Sequence, residues 1–262
     1  RAVIRNLKMF KGSIRMSKLY SDLARIYHEM YQSIFNYEKE FLFYDILLKE
    51  YGCNLILEIG CGSGNLCKYF KDANYSYTGL DLYDEMLQIA RELNPSGDFI
   101  QGDMRNLNFT KKYDAIIITG RSFAYMTKND DVNLALMSVN KMLKSEGILI
   151  FDNFNAKEIF LNFKQELIQT STYNNRKYKR VSNNSMNLET GWTWNWDATY
   201  YIKESGKETK IIHDKSVLRA FTKDELSLFL KLNNFDILKI IDEGLSLTVV
   251  AQKVMKLSKN FT

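Results

Sequence analysis

The sequence has few of the residues that cross-link small proteins or bind metals. Among 262 residues there are three cysteines (Cys53, Cys61 and Cys67), two histidines and one proline, and no two cysteines form a CxxC pair. A disulfide framework or a structural zinc site needs more cysteine and histidine residues than these, so we predict no metal site. Even the longest clean apolar runs are short, such as Ala115–Ile118, and lie far below the roughly 18 residues of a membrane-spanning helix. We expect a cytoplasmic type of globular protein with no membrane attachment.

Acidic residues are absent from the first 20 positions, which hold six basic groups. Removing these six from the 36 basic residues leaves 30 against 31 acidic residues, so residues 21–262 have a net charge of −1. We interpret residues 1–20 as a basic N-terminal extension, with a targeting segment or a lid helix as alternatives. The neutral remainder argues against nucleic-acid binding.

Short apolar strands alternate with helical stretches in the first part of the chain. Strands are predicted at 55–59, 75–81, 98–101, 113–119 and 147–152, and helices at about 65–71, 84–93 and 130–144. This repetition indicates βαβ units that form a parallel sheet. The strands are apolar throughout, as expected when helices cover both faces of the sheet.

The pattern changes after Asn155. Trp192, Trp194 and Trp196 alternate with polar residues, which predicts a strand with one aromatic face. A second strand is predicted at 211–221, with the turn between the two at Gly206. A connection of about 65 residues is too long for a loop. Residues 156–220 are therefore predicted to be an inserted antiparallel lobe.

The helical pattern returns after this lobe. Thr222 is predicted to be an N-cap, with Glu225 at the capping-box position. Two final strands follow at 235–241 and 245–252. The predicted fold class is α/β, a doubly wound, mostly parallel seven-stranded sheet with the antiparallel lobe inserted after strand 5. Residues 21–155 and 221–262 would form the main domain.

A glycine-rich turn follows the first strand. Gly60, Gly62 and Gly64 fall where a buried strand turns into a helix, and Asn65 stands where a dinucleotide fingerprint has its third glycine. Glu58 precedes the first glycine by two residues. A carboxylate there suits a cationic group better than a pyrophosphate, which it would repel.

Two more acidic residues end neighbouring strands. Asp81 lies 21 residues after Gly60, close to the offset at which an acid meets ribose hydroxyls in nucleoside-binding folds. Asp103 could accept a hydrogen bond from an adenine amino group, and the Met104 N–H could donate to a ring nitrogen. Each acid alone could be a cap or turn residue. Three acids at one sheet edge predict a nucleoside-binding crevice.

The ordered series Glu58–Gly64, Gly79–Asp81 with Met86, Gln101–Asp103 and Tyr113–Ala115 resembles the class I S-adenosylmethionine-dependent methyltransferases. The resemblance implies a Rossmann-like methyltransferase fold and S-adenosyl-L-methionine as the cofactor. It implies that the methionine portion is held by Glu58 and by the glycine loop with Gly60, Cys61, Gly62 and Asn65. The ribose would be bound by Asp81 near Leu82 and Met86, and the adenine by Asp103 and Met104. Thr119 and Gly120 would lie beside the sulfonium.

The segment Leu23–Tyr31 resembles small-molecule members of the family, namely amino-sugar N-methyltransferases and the glycine N-methyltransferase group. Those proteins often have Tyr-Asp where this chain has Tyr27-His28. Tyr27 and Tyr31 lie four residues apart on one helix face, so they are either an aromatic cover over cofactor and substrate or ordinary helix packing. Tyr31 and His213 are the candidate catalytic residues if the acceptor needs a general base.

The substrate side is less distinct. The candidate substrate residues are Arg121, Tyr125, Asn153, Trp194 and Arg219. An alternative for Arg219 is a salt bridge between the lobe and the main domain. An alternative for the stripe of Trp192, Trp194 and Trp196 is that it forms the core of the lobe. The basic run Arg176–Arg180 is interpreted as a solvated hairpin face.

The predicted function is transfer of a methyl group to a small-molecule acceptor by in-line displacement. The scarcity of histidine favours nitrogen as the acceptor atom, because a neutral amine needs no strong base. The alternatives are an RNA or protein methyltransferase on the same fold and a non-catalytic S-adenosylmethionine-binding protein. Glu58 and Asn65 disfavour a nicotinamide oxidoreductase. The sequence leaves a homodimer open.

Overall fold

The structure, a computed structural model, describes residues 20–21 and 23–254. The predicted extension at 1–20 therefore lies outside the described residues except for Tyr20, and so do residues 255–262. No helix in the described ranges is long and apolar enough to cross a bilayer.

The described elements follow one another in the order that βαβ repetition predicts, with a block of four strands between β5 and α7. Their bounds are α1 (Ala24–Gln32), α2 (Tyr37–Glu50), β1 (Leu55–Ile59), α3 (Cys67–Asp72), β2 (Ser76–Asp81), α4 (Asp84–Leu93), β3 (Phe99–Gln101), β4 (Tyr113–Ile118), α5 (Asn129–Met142), β5 (Leu143–Phe154), α6 (Ala156–Leu161), β6 (Glu166–Tyr173), β7 (Arg176–Met186), β8 (Trp192–Glu204), β9 (Lys210–Ala220), α7 (Lys223–Leu232), β10 (Phe235–Asp242) and β11 (Ser246–Lys253).

The main sheet has seven strands in the order β10-β11-β5-β4-β1-β2-β3. Strands β1 to β5 run parallel, whereas β11 is antiparallel to both of its neighbours. The predicted fold class is therefore confirmed. The chain winds from β1 through β2 to β3 and then returns to β4 on the other side of β1. In open α/β sheets this reversal opens a ligand crevice at the carboxyl ends of the strands.

Helices cover both faces of this sheet, because its strands are apolar on both sides. On one face Phe41 of α2 and Phe70 of α3 pack against Ile56 and Ile117. On the other face the buried side chains of α5 and α7 pack against the neighbouring strand residues, such as Ile116. Packing on both faces fixes the positions of β1 and β4, and with them the positions of their carboxyl ends.

The second sheet is antiparallel, in the order β6-β7-β8-β9, and forms the inserted lobe. Side chains of β8 alternate between its two faces. Trp194, Ala198 and Tyr200 face inward and are buried. Trp194 packs against Phe154 in an edge-to-face arrangement with ring centroids 5.2 Å apart, which places it in the core between lobe and body.

Several sequence predictions needed correction here. Helix α2 and the separate strands β6 and β7 were not predicted, and β5 begins four residues before the predicted strand. The run Arg176–Arg180 is not a wholly solvated face. Tyr178 is buried, and Arg176 forms an ion pair with Glu29 of α1 at 2.8 Å. This follows from strand alternation, since only Lys177 and Lys179 point outward.

The predicted start of α7 is confirmed. The Thr222 hydroxyl accepts from the Glu225 N–H at 3.1 Å, and the Glu225 carboxylate accepts from the Thr222 N–H at 3.0 Å. The predicted turn at Gly206 is also present between β8 and β9, with a positive φ of 75°.

Candidate active site

A cavity lies at the carboxyl ends of β1, β2, β3 and β4, at the reversal of the strand order. With its open mouth it encloses about 780 Å³, a volume that includes the solvent at the mouth. Ten of the predicted site residues line it: Tyr27, Gly60, Gly62, Asp81, Leu82, Met86, Asp103, Met104, Gly120 and Tyr125. The cavity therefore brings together side chains from widely separated parts of the chain.

The glycine turn forms the floor of this cavity. The N–H groups of Gly60 and Cys61 both donate to the carbonyl of Leu80, at 2.8 and 3.0 Å, and so tie the turn to the end of β2. Gly60 has a φ of +76°, and a β-carbon there would collide with Ser122. The turn therefore requires glycine for its backbone conformation and for its close approach to the residues after β4.

Asp81 lies at the tip of β2, buried to 8% exposure. Its Oδ2 accepts from the Gly62 N–H at 2.8 Å and its Oδ1 from the Tyr83 N–H at 3.0 Å. Burial raises the pKa of Asp81 to about 6, although the backbone donors act in the opposite direction. The carboxylate is thus fixed by amide groups and keeps lone pairs for hydroxyl donors in the cavity.

Glu58 lies behind the cavity wall and does not line it. Its carboxylate accepts from the Tyr77 hydroxyl at 2.6 Å and the Thr119 hydroxyl at 2.7 Å. Burial is the main reason that the pKa of Glu58 rises to about 7. Glu58 and Thr119 therefore connect the tips of β1, β2 and β4 to one another.

Asp103 lines the cavity, but its carboxylate is already bonded to Arg105. The Arg105 guanidinium donates to Asp103 Oδ2 at 2.6 Å and to Asp131 Oδ1 at 2.8 Å. The Asp103 side chain is 23% exposed, so one edge of the carboxylate still faces the cavity. Met104 follows it in the wall.

Tyrosines form the roof over the cavity. Tyr20 and Tyr27 are in edge-to-face contact at 4.9 Å, and the hydroxyl groups of Tyr20 and Tyr125 are 2.9 Å apart. Burial raises the pKa of all three phenols well above 10, so they are neutral at physiological pH. Tyr31 packs behind Tyr27 with a ring separation of 4.2 Å and does not line the cavity.

A polar network attaches α1 to the glycine turn. His28 Nδ1 is 2.8 Å from the Ser63 hydroxyl, and Gln32 donates to Asn65 Oδ1 at 2.9 Å. Burial lowers the pKa of His28. His28 and Asn65 therefore position the turn from outside the cavity.

The structure separates most substrate candidates from the cavity. His213 is exposed on the outer face of the lobe, where its Nδ1 is 3.0 Å from the Thr199 hydroxyl, and it does not line the cavity. Asn153 and Trp194 are buried beyond the cavity. Arg121 lies over the Phe154 ring at 4.6 Å, outside the wall.

Arg219 is buried between lobe and body instead of facing a ligand. Its guanidinium donates to Asn129 Oδ1 at 2.8 Å and to Glu225 Oε1 at 3.2 Å. Of the two interpretations of Arg219 from the sequence, the bridge between lobe and body is correct.

Some wall residues were not predicted from the sequence. Tyr20 had been placed in the basic extension, and Tyr83, Gly102 and Met126 had not been named. Tyr83 follows Asp81 by two residues, a position that the strand-tip pattern could have indicated. Tyr20 gives no such indication, because its place depends on how α1 packs across the sheet.

Comparison with known proteins agrees with this geometry. Residues 56–147 match a family model described as a methyltransferase domain. YqeM of Bacillus subtilis (strain 168), named as a methyltransferase, is 33% identical over 149 residues, which cover 54% of this chain and 59% of YqeM. A dTDP-3-amino-3,4,6-trideoxy-alpha-D-glucopyranose N,N-dimethyltransferase of Streptomyces venezuelae is 22% identical over 172 residues, 65% of this chain and 70% of that protein.

Among solved structures, an S-adenosylmethionine-dependent methyltransferase from Clostridium acetobutylicum ATCC 824 has a TM-score of 0.75 at 20% identity, covering 89% of this chain and 98% of that one. The fold and the matched segment resemble those of S-adenosylmethionine-dependent methyltransferases, and the chain spans about half the length of the curated relatives it matches. Within that class the chain resembles the small-molecule members.

The residues of the cavity fit S-adenosylmethionine, the cofactor of this class. Asp81 is buried, and both of its carboxylate oxygens accept from backbone N–H groups while keeping lone pairs that suit a pair of ribose hydroxyls. Gly120 has a φ of +62°, and no atom lies within 4 Å of the place where its β-carbon would be, so a ligand can approach the backbone there.

Proposed function

We propose that this protein transfers the methyl group of S-adenosylmethionine to a nitrogen atom of a small molecule. The observation that supports this most is the cavity itself, in which a glycine turn and the buried Asp81 meet beneath a tyrosine roof. When bound, the cofactor supplies an electrophilic methyl group on a sulfonium.

Different wall residues would bind different parts of the cofactor. Asp81 would accept hydrogen bonds from both ribose hydroxyls, and Met86 and Leu82 would pack beside the sugar. Asp103 and Met104 would contact the adenine at the end of β3. The glycine turn would lie against the methionine portion, with Glu58 supporting it from behind.

Tyr20, Tyr27 and Tyr125 would exclude water and orient the acceptor. Neutral phenols with raised pKa values are hydrogen-bond donors and acceptors at pH 7, not bases. No histidine lines the cavity among the residues that the structure describes. A neutral amine fits these walls, because it attacks through its own lone pair and needs no strong base. Alignment of the reacting atoms can contribute up to roughly 7–11 kcal/mol.

The names of the relatives support one class of acceptor. The Streptomyces venezuelae relative is named for methylation of an amino sugar nitrogen. We therefore propose a hydroxylated amine, such as an amino sugar, as the acceptor class.

The test has two stages. Native mass spectrometry of the purified full chain should show retained S-adenosylmethionine or S-adenosylhomocysteine. The protein is then incubated with isotope-labelled S-adenosylmethionine and a panel of amino sugars, amino acids, RNA and a histone-type basic peptide. Label in an amino sugar supports the proposal. Label only in RNA or peptide, or cofactor binding without transfer to any acceptor, contradicts it.

A further inference from the structure

Arg105 is a buried cation that lies between two carboxylates. It is 5% exposed, and arginine is seldom buried to this degree unless it is paired. Its guanidinium is 2.6 Å from Asp103 Oδ2 and 2.8 Å from Asp131 Oδ1. Of these three described residues, only Asp103 lines the cavity. Any effect of Arg105 or Asp131 on a bound molecule therefore passes through Asp103.

Arg105 uses most of the acceptor capacity of the Asp103 carboxylate. The backbone N–H of Arg105 donates to Oδ1 at 2.9 Å, and Nε is shared between Oδ1 at 3.0 Å and Oδ2 at 3.1 Å. Nη2 donates to Oδ2 at 2.6 Å. A carboxylate has about four lone-pair sites, so these donors leave about one acceptor site free. The guanidinium fork also fixes the plane of the carboxylate, and with it the direction of the free site.

Asp131 holds the other end of the Arg105 guanidinium. It lies in the first turn of α5, is 7% exposed, and accepts from Nη1 at 2.8 Å. A second hydrogen bond connects the same regions, because the Leu107 N–H donates to the Ser138 hydroxyl of α5 at 2.6 Å. Helix α5 therefore fixes both the guanidinium and the turn after β3 that carries it.

Without the guanidinium, a single donor would hold Asp103. The backbone N–H of residue 105 caps the turn after β3 whatever its side chain is. One donor leaves the χ2 torsion of the aspartate free to rotate, since that torsion has a broad and roughly two-fold preference. Rotation would turn the free acceptor site away from the cavity. The contact of Asp103 with a bound base would then weaken, although the turn itself is kept.

We propose that Arg105 and Asp131 are positioning residues for recognition of the cofactor's base. Arg105 aims the free acceptor site of Asp103 at the amino group of the adenine, and Asp131 fixes the orientation of Arg105. This role deepens the proposed function and rests on it, since the cavity must bind S-adenosylmethionine. Selectivity for the base would thus depend on a residue of α5 that does not line the cavity.

The experiment measures two affinities by calorimetry, with the full chain at fixed pH and ionic strength. S-adenosylhomocysteine has an exocyclic amino group on its base, and S-inosylhomocysteine has a carbonyl in its place. The ratio of the two affinities is the base selectivity. The test variants are Arg105→Lys, which keeps the charge and loses the fork, and Asp131→Asn, which keeps the shape and loses the charge.

Two further variants calibrate the measurement. Asp103→Asn removes the charged acceptor itself. Asp130→Asn is the matched control, because Asp130 is the exposed neighbour of Asp131 in the same helical turn. Thermal melts confirm that each variant is folded. Asp131→Asn retains the pair of Arg105 and Asp103, so it keeps the test valid even where Arg105→Lys does not fold.

We expect the unmodified protein to prefer S-adenosylhomocysteine by at least about tenfold, as a hydrogen bond to a charged group implies. Arg105→Lys should bring this ratio close to that of Asp103→Asn, and Asp131→Asn should lower it by about threefold or more. Affinity for S-inosylhomocysteine should stay within about twofold, because its carbonyl cannot donate to the free acceptor site. Asp130→Asn should keep the ratio of the unmodified protein.

Equal losses for both ligands in Arg105→Lys and Asp131→Asn would leave the ratio unchanged, and would show that the two ion pairs only stabilise the fold. Unchanged affinities in both variants, or the same change of ratio in Asp130→Asn, would also overturn the inference. So would equal binding of the two ligands by the unmodified protein. Failure of both ligands to bind the unmodified protein would instead contradict the proposed function, and the positioning role with it.

Discussion

Asp81 and Glu58, the two buried carboxyl groups at the strand tips, differ in their hydrogen-bond donors and in the direction that they face. Asp81 is held by backbone amides and faces the cavity, whereas Glu58 is held by two hydroxyl groups and faces the interior of the sheet. Spacing in the sequence places both at the same sheet edge but does not say which one reaches a ligand. The difference arises because the Tyr77 and Thr119 hydroxyl groups hold Glu58 in the interior, whereas Asp81 is the last residue of β2.

Asp81→Asn tests the binding residue. The amide keeps the shape of the side chain and removes the negative acceptor, so affinity for S-adenosylhomocysteine should fall by about 1–3 kcal/mol, the value of a hydrogen bond to a charged group. Calorimetry measures the change. Asp84→Asn is the control, because Asp84 is exposed at the start of α4. Unchanged affinity in Asp81→Asn would exclude this carboxylate from the site.

Glu58→Gln tests the raised pKa of the supporting residue. Between pH 5 and 7 folded Glu58 keeps a proton that the unfolded chain has released, since its folded pKa is about 7. Folding stability contributed by this group therefore falls as pH rises through that window and levels off above it. Relative to Glu58→Gln, the unmodified protein should lose about 1–3 kcal/mol of unfolding free energy between pH 5 and pH 8.

Urea titrations of the ligand-free protein at a series of pH values give these free energies. His28, whose pKa is lowered, and Asp81 and Glu40, whose pKa values are raised to about 6 and about 7, are present in both proteins, so the comparison removes their own contributions. Glu38→Gln, at an exposed position on α2, is the control. Identical pH slopes for the unmodified protein and Glu58→Gln would contradict the assignment.

Individual elements were the most predictable level of the structure. The bounds of β1 and α4 agree with the sequence prediction, because apolar periodicity and flanking turn residues are local properties. Helix α2 was not predicted, although Phe41, Tyr44 and Leu48 recur at helical spacing and Asn36 caps it. Strands β6 and β7 are polar and partly exposed, so they lack the tryptophan stripe that identified β8.

Thr222→Ala tests the capping box of α7. The loss of the side-chain acceptor leaves the Glu225 N–H without its partner, so the free energy of unfolding should fall by about 1 kcal/mol. Denaturant titration measures it. Ser227→Ala in the same helix is the control and should change stability by less than about 0.5 kcal/mol, because the Ser227 hydroxyl only bonds back to Lys223 on an exposed face.

At the scale of the whole molecule, the decisive feature is how the lobe sits on the main domain. Arg219 joins β9 to the start of α5 and to α7, and Arg176 joins β7 to α1. These contacts place the inward face of the lobe above the strand tips. The same face brings Arg180 close to the tyrosine roof.

Arg219→Met tests this connection. Methionine fills much of the volume but leaves Glu225 without its cationic partner. The free energy of unfolding should therefore fall by about 3 kcal/mol, near the lower end of the range for breaking a buried ion pair, because Glu225 is 26% exposed. Lys215→Met breaks an exposed pair with Asp197 on the outer lobe face and should cost under about 1 kcal/mol. Equal effects of the two variants would show that Arg219 is not a structural connection.

Local patterns sufficed for the seven strands of the main sheet, the glycine turn and the acidic strand tips. Backbone conformation at Gly60 and side-chain periodicity along β1 depend on neighbouring residues, so they can be read from the chain alone. Contacts between distant segments decided the rest: that Tyr20 covers the cavity, that Glu58 supports it from behind, and that Arg219 joins the lobe to the main domain. Burial and charge pairing are properties of the assembled fold, because both depend on which residues from elsewhere in the chain surround a group.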